Sequence, residues 1–216
     1  MLAKLAATRS TCLAFPVGAV IVKNKQVLAT GYNGPPSGSE HCISQGFCYP
    51  GLPSCDASKE LPSRAVHAEA NAIAQAAKQA GCQLALDLAS FEVVQANRGV
   101  LEELLTGQVD LVFANEDEAR AWNSAGESAA LEDLAARCAV AVVKLGADGA
   151  LIAAGDERYR IEAEKAEAID TTGAGDNWAA GFLAAYVRGL PLPVCGRLGA
   201  LVGAAAVSTM GAQLPE

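Results

Sequence analysis

Long apolar runs, positive charge and closely paired cysteines are all scarce in this chain of 216 residues. No apolar run approaches the 18 or more residues of a membrane-spanning helix, and the first nine residues lack the apolar core of a signal peptide. The 16 lysines and arginines are outnumbered by 24 aspartates and glutamates, giving a net charge of −8. A chain this acidic is a poor candidate for gripping nucleic acid or an anionic membrane. We therefore expect a cytoplasmic protein that binds neither.

The 7 cysteines include no C-x-x-C pair. Their odd number, in a chain that is 51% hydrophobic and 19% charged, argues against a disulfide framework and leaves free thiols or a metal site. Four cysteines and both histidines lie in residues 1–81, whereas residues 82–216 contain no histidine and are rich in alanine, leucine and valine. This change in composition predicts two segments, 1–81 and 82–216.

The apolar pattern differs between the two segments. In the first, apolar runs at Val17–Val22 and Gln26–Tyr32 predict a β-hairpin, and a helix is predicted over Ala65–Gln79. The apolar face of that helix is predicted to consist of Val66, Ala70, Ile73 and Ala77. In the second segment apolar strands alternate with helices, which predicts an α/β fold with a mostly parallel sheet flanked by helices.

The highest concentration of candidate ligand-binding and catalytic residues lies in residues 170–177, DTTGAGDN, directly before a predicted helix. Gly173 and Gly175 allow the backbone to approach a ligand closely, and the free N–H groups of a helix start suit a phosphoryl group. Asp176 could accept a proton from an attacking hydroxyl. From the residues alone, the alternative is a glycine-rich turn with Asp176 as a helix cap.

Two further polar segments follow predicted strands. Asn115 and Glu118 could hold a hydrated Mg²⁺ near phosphates, although asparagine followed three residues later by glutamate is also a capping box. Lys144, Gly146 and Gly149 follow another strand. They could form the floor of a nucleotide pocket at the carboxyl end of the sheet, or an ordinary turn between two strands.

In this order, the three segments resemble the ribokinase (PfkB) family of carbohydrate and nucleoside kinases, from about Leu84 to Pro215. The amino-acid sequences of Asp87–Phe91 and Phe113–Ala119 are similar to those of the adenosine-kinase-like branch. The resemblance implies a ribokinase-like fold and phosphorylation of an alcohol of a sugar or nucleoside, with ATP and Mg²⁺. The family's N-terminal half, which carries most acceptor-binding residues, has no counterpart in this sequence. We therefore expect impaired transfer, with little more than slow ATP hydrolysis.

The resemblance also implies roles for single residues. Asp176 would be the general base, and the N–H groups of Ala174, Gly175 and Asp176, which follow Gly173, would form the anion hole for developing phosphate charge. Asn115 and Glu118 would organise Mg²⁺ and phosphate. The nucleotide would be lined by Thr172 and by the segment that contains Lys144, Gly146 and Gly149.

Residues 1–81 resemble the N-terminal part of the deoxycytidylate deaminase family, through Val17–Val22, Gly31–Gly34 and an H-x-E element. The resemblance implies His67 as a zinc ligand, Glu69 as the proton shuttle and Asn33 as a substrate contact. The family's P-C-x-x-C is missing, so the catalytic zinc site is incomplete. A polar residue at a helix start is the alternative for His67.

A long loop in the first segment offers four nitrogen and sulfur ligands. They are His41, Cys42, Cys48 and Cys55. Such a set suits a structural Zn²⁺, but the irregular spacing leaves free thiols as the alternative.

The two resemblances meet within Ala74–Asp87, where an alanine-rich helix, a glycine stop and a strand suit either family. The sequence is therefore interpreted as chimera-like: an incomplete cytidine-deaminase-like α/β segment joined to a ribokinase-like C-terminal half. A kinase-like function is the first interpretation. A zinc-dependent deoxycytidylate deaminase-like protein and a catalytically silent nucleotide-binding module are the alternatives. Because parallel sheets are normally covered on both faces, we also expect self-association into homo-oligomers.

Overall fold

The computed structural model describes residues 1–10, 16–34 and 67–211. The chain divides into two compact units, one comprising Met1–Ala85 with Val93–Asp110 and the other Leu86–Glu92 with Leu111–Glu216. None of the helices in the described ranges is long and apolar enough to cross a membrane.

Eight α-helices and seven β-strands are found within these described ranges. In chain order they are α1 (Leu2–Ala7), β1 (Gly18–Lys23), β2 (Gln26–Tyr32), α2 (Ala68–Gln79), β3 (Ala85–Asp87), α3 (Phe91–Ala96), α4 (Arg98–Gly107), β4 (Leu111–Ala114), α5 (Glu116–Trp122), α6 (Glu127–Ala135), β5 (Val140–Lys144), β6 (Ala150–Ala154), β7 (Glu157–Ile161), α7 (Ala174–Tyr186) and α8 (Leu192–Val207). A short 3₁₀ helix, Gly146–Asp148, lies between β5 and β6.

The first unit contains the predicted hairpin, in which β1 and β2 pair antiparallel. Two glycines bring helices close to it. A Cβ on Gly18 would lie 2.1 Å from the carbonyl oxygen of Ala3, and a Cβ on Gly31 would lie 2.1 Å from that of Ala68. Gly31 pairs with Ala19, the neighbour of Gly18. Since successive strand residues point to opposite faces, α1 and α2 pack on opposite faces of the hairpin.

The predicted apolar face of α2 is wrong. The buried residues of this helix are Ala68 and Ala72, whereas Ile73 is 54% exposed. The reason is the close approach at Gly31, whose missing side chain leaves room on the helix only for small residues. The predicted helix start at Ala65, and Val66 with it, lie outside the described residues.

The second unit is built on a sheet with the strand order β3-β4-β5-β6-β7. The N–H of Asp110 donates to the Leu84 carbonyl, and the N–H of Leu88 donates to the Phe113 carbonyl. Strands β3 and β4 are therefore parallel. Strands β4 and β5 are also parallel, whereas β6 and β7 form an antiparallel hairpin that pairs with β5. The predicted α/β class is confirmed.

Helices cover both faces of this sheet. On one face Phe113 of β4 meets Phe182 and Trp178 of α7, with ring centroids 5.4 and 6.4 Å apart. Helix α8 packs closely on α7 at Gly199, which has no side chain. A Cβ there would come within 2.9 Å of the Trp178 ring. On the other face Val143 is fully buried, and α5 and α6 pack against β5. The core of the second unit therefore fixes the strand ends, where the polar segments lie.

Candidate functional site

The polar segments of the second unit meet at the carboxyl edge of the parallel strands. Asp87 is the last residue of β3, Asn115 directly follows β4, and Lys144 is the last residue of β5. Carboxyl ends of parallel strands share one edge of a sheet, which is where open α/β sheets bind ligands.

The turn before α7 presents free backbone N–H groups. Gly173 caps the helix in the left-handed conformation, with φ +72°, which favours glycine. The N–H of Ala174 donates to the Thr171 carbonyl at 3.2 Å. Within the described ranges, the N–H groups of Gly175 and Asp176 donate to no acceptor, and the Asp176 side chain is exposed in the first turn. The predicted glycine-rich turn is present, with two donors left for an anion.

Asp170 fixes this turn, a function that the sequence analysis missed. Its Oδ1 accepts a hydrogen bond from the N–H of Thr172, and its Oδ2 accepts one from the N–H of Gly211, both at 2.9 Å. The bond from the Thr172 backbone is the main cause that lowers the pKa of Asp170, and the Gly211 bond adds to it. Thr172, a predicted nucleotide contact, is exposed and contributes its N–H to this turn. Aspartate is a local sequence signal for such a turn, because its side chain can accept a hydrogen bond from the backbone N–H two residues later.

A cation lies beside the same turn. Lys144 Nζ is 2.8 Å from Asp87 Oδ2, with side chains that are 12% and 34% exposed. A Cβ on Gly175 would lie 3.2 Å from Lys144 Nζ. The structure thus brings two predicted site residues together, Lys144 and Gly175, and adds Asp87. No sequence motif singles out Asp87 for this contact.

Asn115 and Glu118 form a complete capping box at the start of α5. Glu118 Oε2 accepts from the Asn115 N–H at 2.8 Å, and Glu118 Oε1 accepts from Asn115 Nδ2 at 2.7 Å. Asn115 Oδ1 in turn accepts from the Glu118 N–H at 2.9 Å. The capping alternative is therefore present, and a metal role for these two residues stays a prediction.

Glu118 is a buried carboxyl, only 2% exposed. Burial raises its pKa, the hydrogen bond from Asn115 opposes that rise, and the neighbouring charges of Asp87 and Lys144 act in opposite directions. Asn115 and Glu118 thus place amide and carboxylate oxygens at one edge of the sheet, near the ion pair of Asp87 and Lys144. Mg²⁺ prefers such hard oxygen ligands and needs few of them from the protein, so this donor set fits the ion.

The turn after β5 is closed by tight backbone contacts. The N–H of Leu145 donates to the Gly149 carbonyl at 2.7 Å. Gly149 has φ +91°, and a Cβ there would lie 1.9 Å from the Ile161 carbonyl oxygen. Gly146 also has a positive φ, +51°. The backbone of this turn therefore requires glycine at position 149 and favours it at position 146.

The same turn lines a cavity of about 530 Å³. It contributes Ala147 and Asp148, while Arg160 and Lys165 bring positive charge from β7 and the segment after it. Glu162 and Glu164 also face the cavity. The lining of the cavity therefore carries charged groups of both signs.

The deaminase-like residues of the first unit form a different arrangement. His67 caps α2 and is exposed, as is Glu69 in the first turn. Asn33 Oδ1 accepts hydrogen bonds from Ser10 Oγ at 2.6 Å and from the Val17 N–H at 2.7 Å, so it joins the stretch after α1 to the residue before β1. The predicted zinc ligands His41, Cys42, Cys48 and Cys55 lie outside the described residues. In the part of the chain that is described, no group of three or more His, Cys, Asp or Glu could hold a metal ion.

Two protein families match this sequence over overlapping ranges. Residues 56–216 match the pfkB family carbohydrate kinase, and residues 1–93 match the cytidine and deoxycytidylate deaminase zinc-binding region. The predicted segments 82–216 and 1–81 fall within these ranges. Both resemblances are therefore confirmed, while the boundary between the segments stays a prediction.

Two solved structures resemble this chain in fold. A probable sugar kinase from Rhizobium etli CFN 42 is 36% identical, with a TM-score of 0.66, over 69% of this chain and 47% of its own. The adenosine kinase from Sinorhizobium meliloti is 37% identical, with a TM-score of 0.64, over 68% of this chain and 47% of its own. The predicted ribokinase-like α/β class is confirmed by these neighbours.

Curated relatives fall in both groups. An uncharacterized sugar kinase from Archaeoglobus fulgidus is 40% identical over 74 residues, 34% of this chain and 30% of its own length. The deoxycytidylate deaminase of Schizosaccharomyces pombe is 41% identical over 83 residues, 36% of this chain and 24% of its own length. The chain thus spans less than a third of either curated relative.

Proposed function

This chain belongs to the pfkB family of carbohydrate kinases, and from that membership we propose that it binds ATP with Mg²⁺ at the carboxyl edge of its sheet. The reaction proposed is transfer of the terminal phosphoryl group to an alcohol of a sugar or nucleoside. The names of the similar proteins, a probable sugar kinase and an adenosine kinase, support this acceptor class.

One observation carries the proposal: the Lys144 ammonium lies beside two free backbone N–H groups at the start of α7. Lys144 Nζ lies beside Gly175, and the N–H groups of Gly175 and Asp176 start helix α7. Helix N-termini attract anions through these donors and through the helix dipole. A phosphoryl group bound there would be held from two sides.

Asp176 is the residue proposed to move the proton. It follows the anion site directly and is exposed, so an acceptor hydroxyl can reach it. As the acceptor oxygen forms its bond to phosphorus, the bond to the bridging oxygen of ADP breaks and the hydroxyl proton passes to the Asp176 carboxylate. When bound, Mg²⁺ neutralises charge on the phosphate oxygens. Asn115 and Glu118 would hold it.

The cavity beside Gly146–Asp148 is proposed to take the nucleoside part of ATP. It is lined by the turn that begins directly after Lys144, so a nucleotide held at its phosphates by Lys144 can extend along that turn. Arg160 and Lys165 supply donors for ribose and phosphate oxygens.

Calorimetry with ATP·Mg²⁺ and an assay of reaction products test this function together. We expect weak but saturable ATP binding, because the residues that face phosphate are present. ADP with a phosphorylated sugar or nucleoside would support transfer, and ADP with inorganic phosphate would indicate hydrolysis instead. No heat with ATP·Mg²⁺ at millimolar concentration would contradict the proposal.

A second candidate is zinc-dependent deamination of deoxycytidylate. The match of residues 1–93 to the deaminase zinc-binding region favours it. The exposed position of His67 and the lack of a third ligand among the described residues weigh against it. Conversion of deoxycytidine monophosphate by zinc-loaded protein would support deamination. If no conversion occurs, this second candidate is contradicted and only the kinase proposal stands.

A further inference from the structure

We infer that Asp87 is a positioning residue that holds the Lys144 ammonium at the first turn of α7, where it acts on the phosphate of the nucleotide. The inference rests on the proposed function, because it specifies how one part of that site is kept in place. It assigns Asp87 to the phosphate-binding machinery through its contact with Lys144.

Asp87 is itself fixed before it reaches Lys144. Its Oδ1 accepts a hydrogen bond from the N–H of Ala89 at 3.1 Å, which leaves Oδ2 for Lys144 Nζ at 2.8 Å. Ala89 has φ +69°, a conformation rare for residues other than glycine, and the turn in which it lies holds the carboxylate in place. A lysine side chain has four rotatable bonds, and a fixed carboxylate removes much of that freedom.

Gly175 completes the arrangement from the other side. A Cβ at this position would lie 3.2 Å from Lys144 Nζ, closer than most real Cβ contacts. The absence of a side chain therefore leaves space for the ammonium as well as for a ligand. Asp87, Lys144 and Gly175 come from β3, β5 and α7, so three separate elements define one position for the cation.

The electrostatics explain why the cation needs a partner. The N-terminus of a helix carries partial positive charge, which repels an ammonium group. The other nearby carboxyl, Glu118, accepts hydrogen bonds from Asn115 and makes no contact ion pair with Lys144 among the described residues. Asp87 is the carboxylate that contacts Lys144 and balances this repulsion. A phosphate arriving at the same place is attracted by both the ammonium and the helix.

A double-mutant cycle on ATP binding tests the inference. Asp87→Asn and Lys144→Met should each weaken ATP·Mg²⁺ binding about tenfold, the scale expected for losing one charge-assisted contact. In the Lys144→Met background, Asp87→Asn should change the affinity less than about twofold, because its effect passes through Lys144. Asp87→Glu, which keeps the carboxylate, should recover part of the loss.

Glu132→Gln is the matched control. Glu132 accepts two hydrogen bonds from Arg158, each 2.7 Å long, in an ion pair that lies outside the site. This variant should bind ATP like the wild type. Urea unfolding of each variant checks that it is folded. If Asp87→Asn is not, Asp87→Glu carries the test, and it should then alter ATP affinity in the wild-type background but not in the Lys144→Met background.

The outcomes separate this inference from the proposed function. A wild-type chain without ATP affinity would overturn the proposed function and the positioning role together. Wild-type affinity in Asp87→Asn would overturn the positioning role alone. Equal losses from Asp87→Asn in both backgrounds would also overturn it, because Asp87 would then act independently of Lys144.

Discussion

Asp170 accepts a hydrogen bond from the backbone N–H of Gly211 at 2.9 Å, although 41 positions separate the two residues. The neighbouring N–H of Ile169 donates to the Val207 carbonyl at 2.8 Å, which adds a second link between the same two stretches. The turn that precedes α7 is thus tied to the chain that leaves α8. This link fixes the start of α7, where the free N–H groups of the proposed phosphate site lie.

The first prediction concerns the acid stability of this link. Hydrogen bonds to Asp170 hold its pKa below the usual range. A carboxyl whose pKa is lower in the folded state contributes stability above its unfolded pKa, about 3.9, and loses it as the pH falls through the folded pKa. Asp170→Asn should therefore be less stable than wild type at pH 7, with the difference shrinking below about pH 4.

Urea unfolding between pH 2 and pH 7 measures this difference. The control is Asp156→Asn, in the exposed turn between β6 and β7. Its stability should follow the wild-type profile more closely than that of Asp170→Asn does. A constant gap between wild type and Asp170→Asn across the whole range would show that the carboxylate charge is not the cause.

The second prediction concerns Asp176. If the chain turns over ATP, Asp176→Asn should lower kcat by about 10²–10⁴-fold, the range for losing a general base. ATP·Mg²⁺ affinity should stay close to wild type, because the donors at the start of α7 belong to the backbone. Steady-state kinetics and calorimetry measure the two effects. Turnover that survives in Asp176→Asn would remove the residue from this role.

Local sequence signals predicted part of the local structure correctly. The DTTGAGDN segment places a glycine turn directly before a helix, and the spacing of Asn115 and Glu118 is enough to indicate a capping box. These features depend on residues only a few positions apart, so the chain itself specifies them. The same holds for the β1–β2 hairpin.

Contacts between distant positions could not be predicted in the same way. Lys144 and Asp87 are 57 positions apart, and the order of strands in the sheet brings them together. The buried face of α2 depends on the close approach at Gly31, which no periodicity within the helix reveals. Tertiary packing decided both features, whereas apolar spacing alone pointed to the wrong helix face.

The third prediction concerns the turn after β5. Gly149→Ala should destabilise the chain by about 3 kcal/mol or more, because the added Cβ meets the backbone and the residue keeps a positive φ. Gly155→Ala is the matched control. It also has a positive φ, +53°, but nothing lies within 4 Å of the added Cβ. Its cost should be about 1 kcal/mol. Equal midpoints for the two variants in urea unfolding would contradict this reading of the turn.

The last prediction concerns zinc. His67→Ala should leave the zinc content of the purified protein unchanged, because His67 is exposed at the start of α2 and the described residues offer no set of three ligands. We expect at most one Zn²⁺ per chain, held by the four nitrogen and sulfur ligands predicted from the sequence. His41→Ala, the matched variant, should therefore lower the zinc content that elemental analysis detects. A loss of zinc in His67→Ala, with none in His41→Ala, would reverse the assignment. The deaminase-like site would then be more complete than its sequence indicates, and Cys82, an exposed free thiol, would be the first residue to test as a second ligand.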